Sequence, residues 1–194
     1  MPTPRAADVL SLNQVKGMVK YLTATGKLRD AALVAVAAGF GLRVSDVLRL
    51  RWGDLIENGT VKETVRVRET KTGKTRILPV LPLVKAAVGA WYRASAPVDL
   101  EAPVFVGPTG RAITRQMAWK IIKRVATELG FAGVIAPHSL RKAFCTAVFD
   151  QTKDPVLTAR ITGHSNPAQL LHYIDRTPAA EAAVWRELTQ LVRV

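Results

Sequence analysis

Between Pro137 and Tyr173 the chain concentrates side chains that can handle a phosphate. The run opens Pro137-His138-Ser139-Leu140-Arg141, continues to Thr162-Gly163-His164, and reaches His172-Tyr173-Ile174-Asp175. His138 and Arg141, three residues apart, share one face of a helix start. Gly163 can end the following helix just before His164, and Tyr173 comes nine residues after that histidine. Upstream, Gly41-Leu42-Arg43 adds a second arginine with Asp46 three residues on, and Thr70-Lys71-Thr72-Gly73-Lys74 adds a lysine in a tight turn.

This set suits phosphodiester transfer. Negative charge building on a phosphorane must be met by fixed positive donors, and a guanidinium stays charged while gripping two oxygens at once. A phenol, with an ordinary pKa of about 10, is a weak nucleophile until positive neighbours and a base draw off its proton. A lysine whose pKa is lowered by nearby cations could protonate the departing oxygen. The chain carries no Gly-rich nucleotide signature. His138, His164 and His172 lack the paired carboxylates or cysteines of a zinc site. No cofactor, metal or ATP is therefore expected.

The elements that must position these residues read as mostly helical. Ser11-x-x-Gln14 is a capping-box pattern, and Val15, Met18, Val19 and Leu22 repeat at helical spacing until Gly26. Residues 28–38 read as a more buried helix that Gly39 and Gly41 break, with Arg43 opening a short helix over 44–50. Arg43 there is either a plain surface residue or one held rigidly beside a cleft. Alternation predicts strands over 61–68 and 76–80 joined by the 71–74 turn. That ribbon gathers Arg66, Arg68, Lys71, Lys74 and Arg76, either as solvated charge or as a groove-reaching set. A helix over 83–94 and a short strand at 104–106 follow. Thr114 then caps a helix over 115–129 with Trp119, Ile122 and Val125 inward. Its other face, Arg115, Lys120, Lys123 and Arg124, is a phosphate-tracking stripe or an ordinary solvated face. Asp154-Pro155, Asn166-Pro167 and Thr177-Pro178 each read as a helix start with a capping side chain and proline first. The last would launch a helix over 179–191 with an apolar stripe. The fold class is mainly α with one small antiparallel sheet.

At 194 residues and 48% hydrophobic content the chain suits a single globular domain with a sizeable core. Its longest apolar run, near 31–40, is too short to span a bilayer, and no signal-peptide pattern follows Met1. The lone Cys145 reads as a small buried hydrophobe. The cytoplasm, beside the nucleoid, is the expected compartment. A net charge of +13 favours polyanions, of which nucleic acid is the commonest.

From about Ser11 to the C-terminus the chain resembles the tyrosine recombinases, or phage integrase family, in their catalytic domain. The resemblance rests on Arg43 with Asp46, the turn lysine Lys71, His138-x-x-Arg141, Gly163-His164 and the terminal Tyr173, in that order and spacing. It implies that Tyr173 attacks a scissile DNA phosphate, giving a 3′-phosphotyrosyl link and a free 5′-hydroxyl. Arg43, Arg141 and His164 would hold the phosphate, Lys71 would be the general acid with Lys74 its competitor, and His138 a general base or proton relay. Asp46 would orient Arg43, while His172 has no implied role and is read as surface. The helix after Pro178 would be exchanged with a neighbouring subunit on double-stranded DNA, giving dimers to tetramers, or would pack at home. Residues 1–10 read as a tail and 11–194 as the catalytic domain, with no N-terminal core-binding domain. Lys142 stands where the family often has histidine. Alternatives are topoisomerase IB-like relaxation of DNA and a non-cleaving DNA-binding factor of the same fold.

Overall fold

A computed structural model describes residues 6–172. Tyr173, the Thr177-Pro178 helix start and the helix expected over 179–191 lie outside the described residues, as does the side chain of His172. In chain order come α1 (Leu12–Ala24), α2 (Leu28–Phe40), α3 (Val44–Val47) and α4 (Trp52–Leu55). Strands β1 (Ile56–Glu57), β2 (Thr60–Val61), β3 (Thr64–Arg68) and β4 (Thr75–Pro79) follow, then α5 (Pro82–Ser95), α6 (Arg115–Glu128), α7 (Pro137–Thr152) and α8 (Pro155–Thr162). A 3-10 turn covers Pro167–His172.

The core is built around α2, whose residues Ala31 to Ala38 are all buried. A helix apolar on every side must be enclosed, and α1, α5 and α7 pack around this one. The helix does not break at Gly39 as expected: it runs through to Phe40. Gly39 serves packing instead, since a Cβ there would lie 2.3 Å from the Val84 side chain of α5. The true stop is Gly41, left-handed at φ +57°, a conformation that costs glycine little.

The caps expected at Ser11, Thr114 and Asp154 hold. Ser11 and Gln14 form a reciprocal capping box on α1. Thr114 accepts from the Met117 amide on α6, and Asp154 accepts from Val156 and Leu157 on α8. β3 and β4 pair antiparallel with Val65 opposite Leu78 and Arg68 opposite Thr75. The strand expected over 61–68 is divided: Val61 pairs with Ile56 in a separate two-stranded ladder, and β3 begins only at Thr64. Residues 104–106 form no strand, only isolated antiparallel bridges at either end, Pro103 with Arg51 and Val106 with Ala112. The Val104 amide donates to Leu50 and the Phe105 carbonyl accepts from Ile113. Nor are residues 8–10 a free tail: Asp8 exchanges backbone and side-chain bonds with Val134, and Leu10 is buried. Among the described residues no helix is long and apolar enough to cross a membrane.

Candidate active site

Two glycine-ended helices, one proline-started helix and the β3–β4 turn meet at one place. Gly41 ends α2 and turns the chain so that Leu42 plugs into the core and Arg43 opens α3. Gly163, at φ +76°, ends α8 and delivers His164. Pro137 starts α7, setting His138 and Arg141 one turn apart.

Arg141 is the most enclosed cation of the group, 2% exposed. Its Nη1 donates to the Gly41 carbonyl at 2.6 Å, and Nη2 faces the Thr162 carbonyl at 3.3 Å and His164 Nε2 at 3.2 Å. The His164 proton can be placed from its neighbours. Thr162 Oγ1 donates to the Thr158 carbonyl at 2.7 Å, so toward His164 Nδ1, 2.6 Å away, it accepts. Nδ1 therefore carries the hydrogen and Nε2 turns its lone pair to Arg141. Burial, then the charges of Arg141 and Arg43, drive the His164 pKa down to about 4 against the opposing pull of Glu69. The imidazole is neutral at pH 7. His138 stands open to solvent, and partial desolvation followed by Lys142, Arg141 and Arg43 also lowers its pKa.

Arg43 and Arg115 lie at the middle of a continuous basic groove. On one side they share a hollow with His138 and Arg141, and on the other with Arg49, Thr70 and Lys71. Lys71 and Lys74 are both exposed at the hairpin turn. Arg43 is held by Glu69, Nη1 to Oε2 at 2.7 Å, and not by Asp46 as expected. Asp46 Oδ1 instead accepts from the Thr70 amide at 2.9 Å and the Thr70 hydroxyl at 2.7 Å. It anchors the turn that carries Lys71, because α3 aims its acid at the hairpin rather than back along its own first turn.

The basic residues assigned to DNA divide. Arg115, Lys120 and Lys123 are exposed on α6, with the Lys123 ammonium 4.8 Å from the Trp119 ring centre. Trp119 is itself 41% exposed rather than inward; the buried stripe is Ala118, Ile121, Ile122 and Val125, and Trp119 stands just off it. Arg68 points outward on β3, whereas Arg66 shares its hollow with Glu57 and Glu63. One assignment needs correction. Arg76 is not a free phosphate contact: its side chain is 9% exposed and bonds Glu69 at 3.0 Å and the Ile161 carbonyl at 2.5 Å. Arg124 is half-exposed and lies 3.1 Å from Asp30 and 3.9 Å from Glu128, carboxylates it shares with Arg29 and Lys27.

Glu69 was missed by sequence reasoning, yet it is the buried carboxylate between Arg43 and Arg76. A signal existed. Continuing the inward parity of Val65 and Val67 places Glu69 inside, and the parity of Leu78 and Val80 does the same for Arg76.

The model of the family described as "Phage integrase family" matches residues 8–179. The chain belongs to the phage integrase family. Among curated members it is 28% identical over 187 residues to tyrosine recombinase XerD of Corynebacterium glutamicum, covering 92% of this chain and 60% of that protein. It is 32% identical over 177 residues to tyrosine recombinase XerC of Rhodospirillum centenum, covering 90% and 50%. The chain thus spans between half and three-fifths of the length of these two relatives. In fold it is similar to the crystal structure of XerA recombinase, with TM-score 0.77 and 22% identity over 99% of this chain and 68% of that one. It is also similar to XerH site-specific recombinase bound to a palindromic difH substrate in a post-cleavage complex, with TM-score 0.74 and 20% identity over 95% and 55%. The family's catalytic-domain fold, mainly helical with small antiparallel sheets, is therefore the fold of this chain.

Proposed function

We propose that this chain is the strand-cutting and rejoining unit of a site-specific DNA recombinase. The observation carrying the reading is the single basic groove in which Arg43, Arg115, His138, Arg141 and Lys71 line adjoining hollows. His164 stands behind it, against Arg141. A duplex backbone laid there would place one phosphate between the Arg43 and Arg141 guanidiniums, which favour the phosphorane over the ground state because its charge is greater.

In this reading the Tyr173 hydroxyl attacks phosphorus and the 5′ oxygen leaves, conserving the bond energy in a 3′-phosphotyrosyl link. Lys71, carried by the turn that Asp46 anchors, protonates the leaving oxygen. His138, with its lowered pKa, is neutral and able to accept the phenol proton at pH 7. His164 acts as a neutral group in contact with Arg141. When a phosphate approaches, its negative charge favours protonation of this imidazole. Arg68, Lys74, Lys120 and Lys123 follow the flanking backbone, and double-stranded DNA is the partner. Assembly on DNA uses the segment after Pro178, and the setting is the nucleoid.

The test is a nicked suicide duplex that loses its 5′-hydroxyl strand after cleavage. Wild type accumulates a covalent protein–DNA species and Tyr173→Phe does not. Equal behaviour of the two proteins, with no adduct from either, rejects the reading and leaves a DNA-binding factor. Efficient relaxation of a plasmid lacking any recombination site would favour the topoisomerase-like alternative instead.

A further inference from the structure

We propose that Glu69 is a positioning residue whose buried carboxylate fixes the Arg43 guanidinium at the groove and locks the lysine-bearing turn to the end of α8. The proposal rests on the recombinase reading for its reaction, though its geometry stands apart from it.

The Glu69 side chain is fully buried, and both oxygens are engaged by different elements. Oε2 accepts from Arg43 of α3 at 2.7 Å and from the Thr72 hydroxyl of the turn at 3.2 Å. Oε1 accepts from Arg76 of β4 at 3.0 Å. Arg76 then carries the link onward, since its Nη2 donates to the Ile161 carbonyl in the last turn of α8. Gly163 closes the contact from the other side: a Cβ there would sit 2.6 Å from Glu69 Oε1 and 3.0 Å from Arg76 Cδ. Only a glycine lets the helix end approach this closely. One carboxylate thus touches or braces the elements bearing Arg43, Lys71 and His164.

The charge balance explains why two arginines are used. A single buried carboxylate paired with Arg43 alone would cancel the charge the groove needs. With Arg76 as the second partner the trio stays net positive, and the enclosed member is Arg76 while Arg43 keeps a 26% exposed side chain facing the groove. A guanidinium held by one edge has its remaining N–H groups aimed in a set direction, so the phosphate meets a pre-oriented donor rather than a mobile one.

The test compares wild type, Glu69→Asp and Glu69→Gln by single-turnover adduct formation on the suicide duplex and by DNA affinity. Loss of positioning slows adduct formation by about tenfold or more in Glu69→Gln, as for loss of one oriented donor. DNA affinity stays within about threefold, since the basic groove is intact. Glu69→Asp, which keeps the charge but shortens the arm, falls between wild type and Glu69→Gln. The reverse order, with isosteric Gln equal to or better than Asp, would mean that Glu69 only fills space and would overturn the proposal. A second readout needs no activity: urea melts of Glu69→Gln, Arg43→Met and the double variant, with Glu69→Asp in place of Glu69→Gln if the latter does not fold. Coupled residues give a double variant less destabilised than the two single effects combined; additive effects contradict the link. If wild type forms no adduct, the reaction reading fails, while the melts still decide whether Glu69 fixes Arg43.

Discussion

Acid should loosen this fold before any carboxylate titrates, and His164 is the reason. Its pKa is about 4 in the folded chain, whereas an unfolded histidine titrates near 6.5. Above pH 6.5 both states are neutral at this site and stability is complete. Between about 6.5 and 4 the unfolded chain binds a proton that the folded chain refuses, so stability falls as pH falls. At pH 5 the loss is about 2 kcal/mol, and across the whole window on the order of 3 kcal/mol, from 1.36 kcal/mol per pKa unit. Below the folded pKa this group contributes no further loss. His138 adds in the same direction but weakly, because it is exposed. Glu69, whose hydrogen bonds from Arg76 and Arg43 outweigh its burial and lower its pKa, adds its loss only below the carboxylate range of about 4.5. Urea unfolding at pH 7, 6 and 5, followed by tryptophan fluorescence, isolates the histidine. Wild type should lose most of that stability by pH 5 with an unchanged m-value, and His164→Asn should be less stable at pH 7 but nearly flat over the same range. Superimposable wild-type curves at pH 7 and 5, or an undiminished slope in His164→Asn, would refute the argument from burial and neighbouring charge.

Three further outcomes follow from the same contacts. Gly163→Ala, forced into φ +76° with its Cβ against Glu69, should cost about 1–3 kcal/mol in urea melts. Arg76→Met leaves Glu69 a buried charge with one arginine and should cost about 3–5 kcal/mol, whereas Arg68→Met on the outer face should stay within about 0.5 kcal/mol in the same melts while weakening DNA binding. Cys145 is 1% exposed and its pKa is pushed up to about 11, chiefly by burial. Its thiol should ignore a disulfide reagent in the native protein and react fully in urea, so rapid native labelling would show that α7 and α8 open readily.

Much of the site could be read from one dimension because its parts sit at helix ends, where residue type and position are tightly linked. Gly41, Pro137 and Gly163 mark the ends from which Arg43, His138, Arg141 and His164 project, and the caps at Ser11, Thr114 and Asp154 framed the helices in between. Contacts across elements were harder. Asp46 sits one helical turn from Arg43, and the family resemblance implied that it orients the arginine; the hairpin supplied a better partner for each, Thr70 for the acid and Glu69 for the arginine. Arg76 looked like surface charge because basic residues crowd that ribbon, and only strand parity reveals that it points inward beside Leu78 and Val80. Trp119 and Gly39 show the same lesson in packing. A large apolar residue just off a buried stripe can be served by a lysine laid over its ring, and a glycine within a helix can mark the closest approach of another helix rather than an end.

The most direct test is mass spectrometry of the peptide left on DNA after the trapped species is digested with protease and nuclease. A tyrosine nucleophile working at the Arg43–Arg141 groove predicts a single linked peptide containing Tyr173, joined to a 3′-phosphate and opposite a free 5′-hydroxyl. Linkage through another residue, or to a 5′-phosphate, would contradict it.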